Sequence, residues 1–148
     1  MPADACISVA SDSDMVPARA EGRQLAERLG FSRTDATLIA TAISEVGRNI
    51  LVHAGAGEIT LTALDENGRC GLEVVARDDG PGISDVDAAL RDGYASRGGL
   101  GLGLPGARRL MDEFDVVSRR GEGTTVTMRK WRERDALERS QELRGQHE

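Results

Sequence analysis

Apolar and polar positions along the chain follow two alternating rhythms. Cys6 to Val9 (Cys-Ile-Ser-Val) has the period-two pattern of a first strand, and Ser11 to Asp14 is polar and turn-like. From Val16 to Leu29 the apolar residues recur at helical spacing, and Gly30 stops the run. Ser32 followed by Asp35 has the form of a capping-box start. The helix it opens runs to about His53, with Leu38, Ile39, Ala42, Ile43, Val46 and Ile50 on one apolar face, and Gly55 and Gly57 end it. Glu58 to Leu64 returns to period two. Asn67-Gly68 within Asp65 to Arg69 signals a tight hairpin, and Gly71 to Arg77 is the return strand.

A glycine-rich segment from Asp78 to Gly103 follows, with one short helix expected at about Val86 to Arg91. Leu104 to Phe114 predicts a further helix. Val116 to Ser118 and Thr124 to Arg129 predict a final hairpin about Gly121 and Gly123. The order of elements predicts an α+β two-layer sandwich, with helices covering one face of a mixed sheet. The strict strand-helix alternation of a dinucleotide-binding sheet is missing. A single domain is expected over residues 1–131. The charged stretch 132–148 is expected to be a surface helix or disordered.

Composition narrows the chemistry. At 148 residues the chain has the length of one ordinary domain. A net charge of −6 argues against a nucleic-acid partner, since phosphate backbones bind basic surfaces. A phosphate site in such a chain must act locally, through backbone N–H groups and a metal ion. Aromatic residues make up 3%, so the core must be aliphatic. Cys6 and Cys70 have no metal-site spacing and read as idle thiols in a reducing compartment. No window reaches the roughly 18 apolar residues of a membrane span. The first ten residues lack the pattern of a secretory leader. No membrane association and a cytoplasmic location are the expectations.

Four places carry candidate chemistry. Glu45 and Asn49 stand at i, i+4 on the long helix, beside its apolar face. A carboxylate there can take a proton from a hydroxyl, and a carboxamide oxygen is a hard ligand suited to Mg²⁺. By themselves they also read as an ordinary polar pair on a half-exposed helix. Asp78-Asp79-Gly80-Pro81-Gly82 follows a predicted strand. Its aspartate can accept a hydrogen bond from an exocyclic amine, and its glycines let a planar ring approach the backbone. A tight acidic turn is the plainer alternative.

Gly98-Gly99-Leu100-Gly101-Leu102-Gly103-Leu104 runs into a predicted helix with Pro105 in its first turn, which suits a phosphate cradle. It is not a Walker loop, since no Gly-Lys-Ser/Thr follows. Gly123-Thr124-Thr125 opens the last strand, where a hydroxyl can meet a ligand or simply favour the strand. His53 at a helix end and Arg97 in the glycine-rich segment are weaker candidates.

Together and in order, Glu45-x-x-x-Asn49, Asp78-x-Gly80-x-Gly82, Gly99-x-Gly101-x-Gly103 and Gly123-Thr124 resemble the N, G1, G2 and G3 boxes of the GHKL ATPase/kinase superfamily. The resemblance implies a Bergerat ATP-binding fold with ATP and Mg²⁺ as cofactors. It implies Asn49 as the Mg²⁺ ligand, Glu45 as the general base and Asp78 as the adenine acceptor. Gly80 and Gly82 would flank the adenine. Gly99, Gly101, Gly103 and Leu104 would wrap the phosphates, and Thr124 or Thr125 would close the adenine pocket.

Thr41-Ala42-Ile43-Ser44-Glu45 with Arg48-Asn49-Ile50, Asp92-Gly93-Tyr94, the run Leu100 to Gly106, the run Arg109 to Phe114 and Lys130-Trp131 are similar to RsbT-type serine/threonine protein kinases. Such kinases phosphorylate STAS-domain partners of the stressosome and activate a PP2C-type phosphatase by binding it. The resemblance therefore implies both partners. It also leaves an alternative, a non-catalytic anti-sigma factor or sequestering module of the RsbW type. The stretch from Arg132 onward is longer than is usual in that family.

Overall fold

The structure is a computed structural model, and it describes residues 3–83 and 103–132. In chain order the elements are β1 (Ala5–Val9), a 3-10 turn at Asp12–Asp14, α1 (Met15–Arg28), α2 (Arg33–His53), β2 (Gly57–Glu66) and β3 (Arg69–Asp78). Then come α3 (Gly103–Leu110), β4 (Glu113–Arg119) and β5 (Gly123–Trp131). The start of α2 follows from its cap: the Asp35 N–H donates to Ser32 Oγ at 3.0 Å. The β2–β3 hairpin turns on Asn67 (φ 55) and Gly68 (φ 80), the two left-handed residues of a type I′ turn.

The five strands form one sheet in the order β1-β2-β3-β5-β4. Every pairing is antiparallel, so the parallel component of the expected mixed sheet is missing among the described strands. The reason is where β5 lies. β4 runs in the same direction as β3, but β5 inserts between them and pairs with both.

One face of the sheet is apolar. Ile59 and Leu61 of β2 lie opposite Ala76 and Val74 of β3, which lie opposite Val126 and Met128 of β5. All six are buried, and they form the core with Ile39, Ile43, Val46 and Ile50 of α2. This is the two-layer α+β sandwich, and α2 is the helix at its centre. On the other face, Glu73, Arg129 and Glu113 stand in one cross-strand row. Arg129 Nε donates to Glu73 Oε2 at 2.9 Å. That bond raises the already high guanidinium pKa, against a smaller opposing effect of burial.

One helix is shorter than its periodicity predicts. α3 ends at Leu110, and Phe114 belongs to β4 opposite Met128. Strand β5 captures the chain early. The Asp112 N–H donates to the Arg129 carbonyl at 3.0 Å, the Asp112 carboxylate accepts from the Trp131 N–H at 2.7 Å, and Lys130 Nζ donates to the Leu110 carbonyl at 3.1 Å. The Arg132 N–H still bonds the Cys70 carbonyl at 3.0 Å. The short helix expected near Val86 to Arg91 and the stretch 133–148 lie outside the described residues. No helix among the described residues is long and apolar enough to cross a membrane.

Candidate functional site

The inward-facing series of four strands each end at the same edge of the sheet, and each ends in a glycine or a polar residue. In β2 the series is Gly57, Ile59, Leu61, and in β3 it is Leu72, Val74, Ala76, Asp78. In β5 it is Thr124, Val126, Met128, and in β4 it is Phe114, Val116, Ser118. Gly57 pairs with Asp78, Asp78 with Thr124, and Thr124 with Ser118, so the four form one cross-strand row. Asp78 and Thr124 are 6% and 5% exposed, the two buried polar or charged residues among those described. Burying such groups is unfavourable unless they are hydrogen-bonded, so the row is a deliberate feature of the fold.

Asp78 is partly satisfied. The Gly80 N–H donates to Oδ1 at 3.0 Å, and no described residue bonds Oδ2. The turn after Asp78 is locked from two sides. A side chain on Gly80 would come within 2.6 Å of the Ala54 Cβ, at the end of α2. Gly82 has φ 79, and a Cβ there would overlap the Arg119 carbonyl of the β4–β5 turn. The Gly121 N–H donates to the Pro81 carbonyl at 2.7 Å across the same junction. Packing of the chain on itself is therefore reason enough for both glycines, apart from any need to admit a ring. On the β5 side, Gly123 has φ 85 and presses against the Asp78 carbonyl.

Helix α2 reaches the row at its last turns. Ile50 Cγ2 lies 2.8 Å from where a Cβ on Gly57 would stand, so Ile50 sits on the row's first member. Glu45 and Asn49 are both half-buried, one residue before the buried Val46 and Ile50. Gly47 lies against Met15 of α1. Glu45, two residues earlier, is about 200° round the helix at about 100° per residue, on the flank turned away from α1. The helix packed on α2 besides α1 is α3. It begins at Gly103, a left-handed residue with φ 46, and continues into the buried Leu104.

The structure thus brings Asp78, Gly80, Gly82 and Thr124 together and places the α2 pair on a neighbouring element. Thr125 points the other way: it pairs with Arg77 and Val117 on the open face, so Thr124 is the inner hydroxyl of the doublet. His53 is exposed at the end of α2. Gly99, Gly101 and Arg97 lie outside the described residues. Ser118 escaped the sequence reading. Its signal was a polar residue where the Phe114-Val116 alternation calls for an apolar one.

Known proteins resemble this chain. The histidine kinase-like ATPase domain matches residues 9–130. The chain belongs to that family. Within it, the serine/threonine-protein kinase RsbT of Bacillus subtilis (strain 168) is 46% identical over 126 residues, covering 85% of this chain and 95% of that protein. That similarity makes this family member an RsbT-type serine/threonine protein kinase. An anti-sigma F factor of Caldanaerobacter subterraneus subsp. tengcongensis is 35% identical over 99 residues, covering 63% of this chain and 68% of that protein.

Among solved structures, the RsbU and RsbW domains of Rv1364c from Mycobacterium tuberculosis superpose with a TM-score of 0.58 at 20% identity. They cover 85% of this chain and 32% of that one. A chain of the SiaB-SiaC complex from Pseudomonas aeruginosa matches with a TM-score of 0.51 at 15% identity, over 87% of this chain and 90% of that one. These two likenesses establish the fold. Membership of the ATPase family carries ATP as the nucleotide.

Proposed function

We propose that the chain phosphorylates a serine or threonine of a STAS-domain partner in a partner-switching stress response, in the cytoplasm, and also binds and activates a PP2C-type phosphatase. The observation that carries this reading is the buried row at the end of the sheet, with an Asp78 carboxylate oxygen that no described residue bonds, beside a helix bearing Glu45 and Asn49. Asp78 would accept from the exocyclic amine of adenine, with Gly80, Gly82 and Thr124 lining the base. Gly99, Gly101, Gly103 and Leu104 would surround the phosphates, where N–H groups entering a helix favour anions.

The Asn49 carboxamide oxygen suits Mg²⁺, which would take most of its other ligands from phosphate and water. A bound Mg²⁺ would offset phosphate charge. Glu45 would take the proton of the acceptor hydroxyl as its oxygen bonds the γ-phosphorus. The bond to the β–γ bridging oxygen breaks, and ADP leaves with that electron pair. Positioning and charge neutralisation supply most of the rate in such transfers.

Titration calorimetry with Mg–ATP and labelled-phosphate transfer to a STAS-domain partner test this reading. Asp78→Asn is expected to abolish ATP binding, because the Gly80 N–H would hold the carboxamide oxygen and leave the NH2, a donor, facing the amine. Glu45→Ala is expected to bind ATP normally and lose transfer about 10²- to 10⁴-fold. Normal transfer by Glu45→Ala removes the base assignment.

The likeness to anti-sigma F factors supports a second reading, a module that sequesters or activates a partner with ATP as a structural ligand. Full phosphatase activation by a Glu45→Ala variant that has lost phosphate transfer would favour binding as the output.

A further inference from the structure

We propose that Ser118 sets the hydrogen-bond polarity of the base pocket, and so determines which purine it accepts. This rests on the nucleotide reading above and deepens it. Three bonds meet at the Ser118 hydroxyl. It accepts from the Ile83 N–H at 2.6 Å, donates to the Gly123 carbonyl at 3.1 Å, and lies 2.8 Å from Thr124 Oγ1. A serine hydroxyl has one proton. Given to Gly123, that proton cannot also serve the Thr124 bond, so Thr124 must be the donor there. The Thr124 hydroxyl has then spent its own proton on Ser118. Towards a ligand it offers only lone pairs.

Thr124 and Asp78 face each other in the same row. With Ser118 in place, both present acceptors. With Asp78 assigned to the C6 amino group of adenine, such a pair favours an amino group at that position and disfavours a carbonyl. At C6 adenine has the amino group and guanine the carbonyl; the guanine amino group is at C2. Ser118 also ties the backbone at Ile83, just past the Asp78 turn, to the β4–β5 hairpin that carries Thr124. Its hydroxyl therefore fixes both the shape and the polarity of this end of the pocket. It acts through Thr124 and is thereby a positioning residue.

The test is titration calorimetry of the full chain with Mg–ATP and Mg–GTP, with the thermal midpoint of the nucleotide-free protein as the folding check. In Ser118→Ala the Thr124 proton is released to turn towards the base. ATP binding should weaken about tenfold, the scale of one lost hydrogen bond, and GTP should weaken less or improve. Ser118→Thr, which keeps the hydroxyl, should restore the preference for ATP. Equal weakening for both nucleotides would mean that Ser118 only braces the fold, and would overturn the polarity assignment. So would an unchanged preference. Should Ser118→Ala not fold, Thr124→Val reads the same bond from its other end, and an undiminished ATP preference there overturns the proposal. Asp78→Asn separates the two levels. If it loses ATP while Ser118→Ala behaves as wild type, only the Ser118 proposal fails. If it retains ATP, the nucleotide reading itself fails.

Discussion

Gly121 and Gly123 flank one residue of the β4–β5 turn and have nearly the same backbone angle, φ 81 and φ 85. They differ in what a side chain would meet. A Cβ at Gly121 has nothing within 4 Å. A Cβ at Gly123 would overlap the Asp78 carbonyl oxygen and lie 3.0 Å from the Asp78 carbonyl carbon and the Asp79 Cα. Alanine at either position carries a left-handed conformation, costing about 1–2 kcal/mol, less about 0.4–1 kcal/mol from a stiffer unfolded chain. Gly121→Ala should therefore lose about 1 kcal/mol. Gly123→Ala adds an overpacking term of about 1–3 kcal/mol, since the atoms it meets are backbone and cannot rotate away. The total is about 3 kcal/mol.

At about 4 °C per kcal/mol for a domain of this size, the melting temperature should fall by about 4 °C for Gly121→Ala and about 12 °C for Gly123→Ala. Thermal melts by circular dichroism, with urea unfolding for the free energies, measure both. Equal losses would refute the reasoning, because they would leave backbone conformation as the whole effect. A stability gap without any loss of ATP binding by Gly123→Ala would separate the close approach at Asp78 from ligand recognition.

Two simpler substitutions test the scaffold. Ser32→Ala removes the acceptor of the Asp35 N–H at the start of α2 and should lower stability by about 1 kcal/mol, read by urea unfolding. Leu61→Ala empties a fully buried position in the middle of the sheet and should lower stability by about 2–5 kcal/mol without changing the slope of the urea transition.

The local rules were strong enough to place most elements. Asn67-Gly68 fixed one hairpin because two left-handed residues admit little else. Ser32 fixed the start of α2. The end of α3 was not legible, since Leu104 to Phe114 keeps a helical period to its end. What stops the helix is Asp112 bonding to Arg129 and Trp131, residues far along the chain. The strand order was hidden for the same reason: nothing local says that β5 enters between β3 and β4. Within the candidate site, Asp78 and Glu45 stand out as residue types in a pattern. Ser118 was not, because its meaning comes from register. Only when Thr124 is known to face both Asp78 and Ser118 does a lone serine become part of a pocket.

Register also explains how one small site can divide its work. Asp78, Thr124 and Ser118 are held by the ladder bonds of three neighbouring strands, and such a row can move only if the sheet moves. Groups that read the shape and polarity of a base gain from that rigidity, since a donor displaced by an ångström no longer discriminates. Glu45 and Asn49 stand instead on a helix, joined to the row through Ile50 on Gly57 and to the turn after Asp78 through Ala54 on Gly80. A small shift of α2 along its axis would change the distance from Glu45 to an acceptor hydroxyl while leaving the Asp78–Thr124 pairing intact. On the proposed roles, base recognition and phosphoryl transfer would be separately alterable, with the Ile50 and Ala54 contacts as the coupling between them.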